Sequence, residues 1–183
     1  MQLKPLLARI ASLLALFFII ACTGIANAQS GPSTRTFTFA DLAGKSHSLA
    51  EYDGKIVVLN FWATWCFPCR EEMPMLSKLA PEYKEKGVEF VAVSLDDEKT
   101  QPKIARFLEK KKIVLPVFTG ATPATLDQFD LAGIVPATVV IDRDGSAVFR
   151  ILGEASKKDL ASRLDWLLSD RPGKKPKELQ KNL

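Results

Sequence analysis

Cysteine and histidine are scarce in this chain of 183 residues, which contains three cysteines and a single histidine. Cys22 falls in an apolar N-terminal segment, so the rest of the chain retains only Cys66, Cys69 and His47. A structural zinc site usually takes four ligands, from two cysteine pairs or from one pair with histidines. The sequence therefore argues against a structural metal site.

Net charge is also small over most of the chain. The formal charge is +4, but the cations at the two ends contribute more than this total, so residues 29–169 are close to neutral. No basic stretch is interleaved with aromatic residues, which argues against a nucleic-acid-binding surface. Residues 170–183 contain five cations and two prolines, and this composition predicts a disordered basic tail.

The longest apolar run lies near the N-terminus. Two cations precede this run, and a small-x-small sequence ending at Ala28 follows it. These are the parts of a secretory signal, so residues 1–28 are predicted to be a signal peptide. Two alternatives remain open: a membrane tether through residues 10–28, or a lipoprotein with lipid attached at Cys22. All three place the following domain in the periplasm or an equivalent extracytoplasmic space, with residues 29–35 as a linker.

Residues 36–169 carry the pattern of one α/β domain. A hairpin is followed by an apolar run at residues 56–62, which is typical of a central strand buried on both faces. The helix predicted over residues 67–86 contains Pro74 and Pro81, and each predicts a kink or a break. The remaining elements are predicted as a strand at 88–95, a helix at 99–112, a short edge or strand-end segment at 115–118, a short helix at 122–129, strands at 137–142 and 147–152, and a helix at 157–168. This order predicts a mixed sheet flanked by helices.

Cys66 and Cys69 lie between the predicted central strand and the next helix. Two intervening residues on the first turn of a helix bring two sulfurs close enough for a reversible disulfide. Cys66 would face solvent at the positive end of the helix, and Cys69 would lie one turn further in. We therefore expect an attacking thiolate at Cys66 and a resolving thiol at Cys69. An inert structural disulfide is disfavoured, because so short a loop removes little entropy from the unfolded chain.

Glu72 lies three residues beyond Cys69, on the same face of the predicted helix. Its carboxylate is a candidate proton acceptor for Cys69, although the helix dipole alone also favours an acid near a helix start. Trp65 is predicted to form part of a surface that docks substrate. Trp62 fits the core, and His47 fits the surface or a sheet edge.

Residues 57–74, which include Trp65-Cys66-Phe67-Pro68-Cys69, resemble the active-site motif of the TlpA/ResA-like extracytoplasmic reductases of the thioredoxin superfamily. The similarity extends over residues 36–168. It implies a thioredoxin-like fold with an N-terminal β-hairpin and a short inserted strand–helix element within residues 112–131. Phe67, between the cysteines, is not interpreted by the resemblance.

The segment Gly133-Ile134-Val135-Pro136-Ala137-Thr138 is similar to the cis-proline loop of the same family. The resemblance implies a cis Val135–Pro136 bond opposite the cysteines, whereas X-Pro bonds in general favour trans. In this interpretation Trp65, Pro68, Val135 and Pro136 contact the substrate.

Two polar residues also match the family pattern. Glu72 matches the active-site glutamate of ResA-like members. Asn60 occupies the position at which cytoplasmic thioredoxins carry a buried aspartate. This departure agrees with the ResA-like pattern and shifts the expected role of proton acceptor towards Glu72.

The resemblance implies a thiol–disulfide oxidoreductase that needs no cofactor and keeps client cysteines reduced outside the cytoplasm. Clients would be proteins such as apocytochrome c or copper-site assembly factors, and a membrane thiol transporter would donate the electrons. Two alternatives stay open: a disulfide-forming oxidase with the same motif and the opposite potential, and a copper-binding chaperone with cysteine ligands. A peroxidase is disfavoured, because Ala63 stands where a Thr-x-x-Cys arrangement requires threonine.

Overall fold

The structure is a computed structural model that describes residues 34–169 and 171–180. The predicted signal peptide or anchor, the lipid-attachment site at Cys22 and most of the linker lie outside the described residues. Within the described part of the chain, no helix is both long and apolar enough to span a bilayer.

One mixed sheet organises the described residues. Its strands are β1 (Thr38–Asp41), β2 (Ser46–Ser48), β3 (Ile56–Trp62), β4 (Val88–Ser94), β5 (Val117–Thr119), β6 (Ala137–Ile141), β7 (Ala147–Leu152) and β8 (Leu179–Gln180). Their order across the sheet is β2-β1-β5-β4-β3-β6-β7-β8, with β3 parallel to β4 and antiparallel to β6. The α/β class and the mixed central sheet are therefore confirmed.

β3 is the central strand, and all seven of its residues are buried. Its side chains alternate between two apolar cores: Ile56 and Val58 belong to one core, whereas Leu59 and Phe61 belong to the other. Successive side chains on a strand point to opposite faces of the sheet, so one strand supplies both cores. Burial of each such side chain contributes about 1.5–3 kcal/mol. The carboxyl end of this rigid strand leads directly to the cysteines.

Helices cover both faces of the sheet. The described residues form α1 (Phe67–Lys84), α2 (Lys103–Lys111), α3 (Pro123–Gln128) and α4 (Lys157–Leu168). Leu76 of α1 and Leu160 of α4 belong to one core, and Leu126 of α3 belongs to the other. Ser156 caps α4, because its hydroxyl accepts the N–H of Asp159 at 3.2 Å.

α1 continues through Pro74 and Pro81, so of the kink or break predicted at each of these residues, the break does not occur. A proline inside a helix costs about 3 kcal/mol or more, because it removes a hydrogen bond and crowds the preceding turn. Met73, Leu76 and Leu79 on the same helix are completely or almost completely buried. Their burial, worth about 1.5–3 kcal/mol for each side chain, offsets that cost and holds the helix against the sheet.

α2 begins at Lys103, later than the start predicted at residue 99. The Asp97 carboxylate accepts the N–H groups of Lys99 and Thr100, at 3.0 Å each. These contacts form a local turn that competes with helix formation. Pro102 then occupies the position that precedes the helix, where it has no N–H to leave unpaired.

β5 lies between β1 and β4, so an edge position for this segment is wrong. The alternative, a strand end, is correct for Pro116, which immediately precedes β5. There its missing N–H removes no hydrogen bond from the sheet ladder. β5 and α3 together form a strand–helix element at the place where the resemblance implied an insertion.

The predicted disordered tail is wrong over residues 171–180. β8 pairs in parallel with β7. The Glu178 carboxylate accepts a hydrogen bond from Arg150 at 3.0 Å, and the carbonyl of Lys177 accepts one from the buried Arg163. Composition alone missed this docking because the two arginines lie on distant elements of the domain.

His47 lies on β2, at the edge of the sheet, as expected. Its two ring nitrogens are each 3.1 Å from a carboxylate, one of Asp41 and one of Glu51. The hydrogen bond to Glu51, followed by that to Asp41, raises the pKa of His47 above its ordinary value of 6.5. When protonated, the ring therefore bridges Asp41, at the end of β1, and Glu51, just beyond β2.

We expect the single imidazole of the folded protein to titrate above pH 6.5, as measured by proton NMR. Because the folded-state pKa is raised, the contribution of His47 to stability is complete below about pH 6.5. It is lost as the pH rises through the raised value. Glu51→Gln should bring the His47 pKa back towards 6.5, whereas Glu154→Gln should leave it unchanged. A pKa at or below 6.5 in the unaltered protein contradicts the two-acid bridge.

Candidate active site

Cys66 lies where the loop after β3 enters α1. It is the N-cap residue of α1, with an extended backbone, and its sulfur accepts the N–H of Cys69 at 3.3 Å. Cys66 and Cys69 are joined in a disulfide, with their Cα atoms 5.3 Å apart. The structure thus contains the pairing that the spacing predicted.

The two sulfurs occupy different surroundings. Cys66 is 6% exposed, whereas Cys69 is fully buried. An incoming disulfide therefore meets Cys66 first, and Cys69 lies behind it on the helix. Once the bond is reduced, the free N–H groups of the first turn and the helix dipole favour a thiolate at Cys66.

Glu72 lies one turn beyond Cys69 and is only 2% exposed. Its Oε1 accepts a hydrogen bond from Asn60 Nδ2 at 2.7 Å, and its Oε2 accepts one from the N–H of Ala155 at 2.8 Å. Burying a carboxylate without such donors costs several kcal/mol. The neighbouring Glu71 is exposed and fits the simpler interpretation of an acid favoured by the helix dipole. Glu72 needs a further reason to lie in the interior.

Asn60 provides the polar contact that β3 makes with this carboxyl group. Its Nδ2 donates to Glu72 and also to Thr138 Oγ1, at 3.1 Å. Its Oδ1 is buried and has no hydrogen-bond partner among the described residues. An aspartate here would bring a second carboxylate against Glu72, and like charges oppose each other's ionisation. Asn60 therefore places a neutral hydrogen-bond donor, and no second acid, against Glu72.

Asp96 is a site residue that the sequence did not single out. It is 6% exposed just beyond β4, and its carboxylate accepts the N–H of Thr64 at 2.8 Å and the hydroxyl of Ser94 at 2.6 Å. These bonds hold the loop that carries Cys66. The sequence feature that could have identified Asp96 is its position just after β4. Because β3 and β4 are parallel, their carboxyl ends lie at the same edge of the sheet, and a residue after β4 is therefore close to the loop after β3.

The Val135–Pro136 bond is cis. The family resemblance implied this conformation, whereas the general preference of X-Pro bonds favoured trans. Ala137, the next residue, pairs with Phe61 of β3. Pro136 therefore lies at the end of the sheet from which the chain leads to Cys66. Its carbonyl accepts the N–H of Gly153 at 2.9 Å, whereas the backbone of Val135 has no hydrogen-bond partner among the described residues.

Large apolar side chains surround Cys66 on the surface. Trp65 is 59% exposed and Phe67 is 65% exposed, and they account for two of the four exposed large apolar residues in the described part of the chain. Pro68 is exposed beside them. Trp62, in contrast, is buried and packs 5.3 Å from Phe107, measured between ring centroids. The core assignment of Trp62 is confirmed.

The structure brings most of the predicted site residues to one region. Cys66, Cys69 and Glu72 follow one another along the start of α1. His47 lies apart from them on the outermost strand β2. In residues 34–169 and 171–180, no three histidine, cysteine, aspartate or glutamate side chains form a group that could hold a metal ion.

Comparison with known proteins gives consistent matches. A model of the AhpC/TSA family matches residues 31–149. The thiol-disulfide oxidoreductase ResA of Bacillus anthracis is 38% identical over 136 residues, which are 74% of this chain and 77% of that protein. ResA of Geobacillus kaustophilus is 34% identical over 163 residues, 89% of this chain and 90% of that protein.

A solved structure shares the same fold. It is the thiol:disulfide interchange protein, a thioredoxin family protein, from Chlorobium tepidum TLS. The two structures match with a TM-score of 0.64 and 29% sequence identity, over 79% of this chain and all of the other. This chain therefore belongs to the thioredoxin-like AhpC/TSA family and is a thiol–disulfide oxidoreductase of the ResA type.

Proposed function

We propose that this protein reduces disulfide bonds of client proteins outside the cytoplasm. The observation that carries the proposal is the inequality of the two sulfurs. Cys66 keeps a small exposed fraction at the positive end of α1, whereas Cys69 is fully buried one turn from the buried Glu72. A pair arranged in this way can transfer two electrons in sequence through a mixed disulfide.

The first step is attack on the client. The Cys66 thiolate forms a bond to one sulfur of the client disulfide, the client S–S bond breaks, and the second client sulfur leaves as a thiolate that takes a proton. Cys66 is then bonded to the client. Its position at the helix N-terminus favours the anionic form needed for attack.

The second step is resolution by Cys69. Its thiol gives its proton to the Glu72 carboxylate, and the resulting thiolate attacks Cys66 Sγ. The mixed disulfide breaks, and the client leaves as a second thiolate, which takes a proton. The Cys66–Cys69 disulfide seen in the structure remains. Two electrons have passed from the protein dithiol to the client.

Glu72 suits the role of proton acceptor because of where it is held. Its carboxyl group is fixed by Asn60 and Ala155 on the buried side of α1, where bulk water has little access. Residues three apart on a helix share a face, which brings Glu72 within reach of Cys69. A positioned base of this kind typically accelerates proton transfer by about 10²–10⁴-fold.

The surface around Cys66 supplies a docking region. Trp65 and Phe67 offer exposed apolar area on either side of the reactive sulfur. The unpaired backbone of Val135, beside the cis Pro136, can hydrogen-bond an extended client segment. Pro68 completes this surface on the first turn of α1.

The N-terminal sequence and the relatives support the proposed extracytoplasmic setting. The signal-like residues 1–28 and the similarity to ResA proteins support export, with a tether through residues 10–28 or a lipid at Cys22 as alternatives. Outside the cytoplasm a dithiol needs a supply of electrons. We assign that supply to a membrane thiol transporter, and the clients to proteins such as apocytochrome c or copper-site assembly factors.

The direction of transfer is tested by the midpoint potential of the Cys66–Cys69 pair, measured in glutathione redox buffers by tryptophan fluorescence. A reductase should lie towards the potential of thioredoxin, about −270 mV. A value near about −120 mV, that of the oxidant DsbA, contradicts reduction and supports disulfide formation.

Replacing Cys69 with serine should trap clients. Cys69→Ser lets Cys66 attack but removes the resolving thiol, so mixed disulfides should accumulate through Cys66 and disappear on treatment with a reductant. The measurement is non-reducing electrophoresis and mass spectrometry of the variant recovered from its extracytoplasmic compartment. Cys66→Ser is the control and should capture no adduct. Absence of any thiol-linked adduct with Cys69→Ser argues against the exchange mechanism.

Glu72→Gln should slow resolution more than attack. The amide cannot accept the Cys69 proton, so we expect resolution to fall by about 10²-fold or more, with a changed pH profile between about pH 6 and 9. Single-turnover kinetics with a neutral disulfide separate the two steps. The buried amide also leaves a polar group unpaired, at a cost of about 1–3 kcal/mol, so the fold of the variant is checked by urea unfolding.

Glu85→Gln is the matched control, because Glu85 is an exposed acid at the other end of the same helix. It should resolve mixed disulfides at the unaltered rate across this pH range. If Glu72→Gln does the same while remaining folded, Glu72 has only a structural role.

A further inference from the structure

A cleft beside the cysteines carries an unusual concentration of positive charge. It has a volume of about 370 Å³ and lies between the start of α1 and α2. We call it the basic cleft; its walls include Thr64, Arg70, Lys103, Arg106, Phe107 and Lys110. Thr64 and Arg70 lie immediately before and after the segment of residues 65–69. The basic cleft therefore opens next to the reactive disulfide.

The spacing of the cations on α2 places them on one face. Lys103, Arg106 and Lys110 are three and four residues apart and are exposed, and such residues are neighbours on a helix surface. Like charges at these spacings destabilise a helix. Phe107 is half-buried and contributes apolar surface to the lining of the cleft.

Acids of the domain offset these cations only in part, and Lys103 interacts with the nearby Asp97. Glu71 lines the same cleft and pairs with Lys111 at 3.7 Å. Arg70, Arg106 and Lys110 form no salt bridge with any described residue. Residues 29–169 are close to neutral overall, so the cations of the cleft are not part of a general positive charge of the domain. A concave site lined by one sign of charge focuses the field and attracts groups of opposite sign.

We propose that the basic cleft binds an acidic segment of the client protein and so presents the client disulfide to Cys66. This inference rests on the proposed function and adds the chemistry by which clients are selected. The guanidinium groups of Arg70 and Arg106 can hold carboxylates with two parallel hydrogen bonds. The exposed Trp65 and Phe67 then contact the apolar residues around the client cysteine.

Electrostatic recognition of this kind acts mainly on the rate of association. Opposite charges raise the encounter rate by about 10–10³-fold at low ionic strength, and salt screens the effect. The covalent steps are unchanged: the dithiol of Cys66 and Cys69 still passes two electrons to the client disulfide. The basic cleft therefore predicts salt-dependent preference among clients, without a change in the reactivity of Cys66.

The test uses three synthetic peptides that each contain one disulfide and differ only in the residues next to the cysteines, which are aspartate, serine or lysine. Stopped-flow tryptophan fluorescence follows the oxidation of the reduced full-length protein by each peptide. At low salt, the aspartate peptide should react about tenfold faster than the serine peptide, and the lysine peptide should be slowest. At 1 M salt, where the screening length is about 3 Å, the three rates should converge.

Charge reversal in the basic cleft should invert this order. The variant with Lys103→Glu, Arg106→Glu and Lys110→Glu should react fastest with the lysine peptide. A matched variant with Lys45→Glu, Lys84→Glu and Lys158→Glu changes the net charge equally at exposed sites elsewhere. It should keep the preference for the aspartate peptide.

A neutral small disulfide, 2-hydroxyethyl disulfide, separates this inference from the proposed function. The matched variant should be oxidised by it at the unaltered rate. Charge reversal next to Cys66 also changes its thiolate fraction, so the peptide rates of the cleft variant are compared after division by its rate with this neutral disulfide. If it fails to oxidise the unaltered protein, dithiol exchange itself is wrong. If it reacts normally while the three peptides react equally at low salt, or while the matched variant loses the preference as fully as the cleft variant, the basic cleft does not select clients.

Discussion

The fixed position of the Glu72 carboxyl group is the interaction on which the site depends. Asn60 of β3 and the backbone of Ala155, just before α4, both donate hydrogen bonds to it. An acid in the interior is costly unless donors compensate it, and here the donors come from elements far apart in sequence. The same contacts that make burial tolerable also hold Glu72 one turn from Cys69. The hydrogen bonds that stabilise the buried acid therefore also fix its position relative to the cysteine pair.

The sheet explains why the two cysteines are unequal. β3 is buried on both faces and ends directly before the loop that carries Cys66. The parallel neighbour β4 ends at the same edge, where Asp96 fixes this loop through Thr64. Cys66 thus begins α1 at the surface, and the helix carries Cys69 inward. The difference in exposure follows from the turn from strand to helix.

Local patterns in the sequence were sufficient for several features. The apolar run at residues 56–62 and the helical pattern at 157–168 predicted their elements with the observed bounds, because burial and helix capping act within a few residues. Features that rely on distant partners were missed or wrong. Asp96 fixes the loop before Cys66 by accepting a hydrogen bond from Thr64. The docked tail depends on a hydrogen bond from Arg163, and the composition of the tail does not reveal this distant partner. Similarly, the continuity of α1 through Pro74 depends on packing against the sheet, which propensity alone does not include.

Selective alkylation of the reduced protein tests the central claim, that the exchanging thiols have unequal exposure and acidity. The protein is reduced and treated with limiting iodoacetamide near neutral pH, and peptide mass spectrometry measures modification at each cysteine. The account predicts that Cys66 reacts at least about tenfold faster than Cys69, because thiolate character and access both favour it. Equal rates of modification at Cys66 and Cys69 in the folded protein would contradict the account.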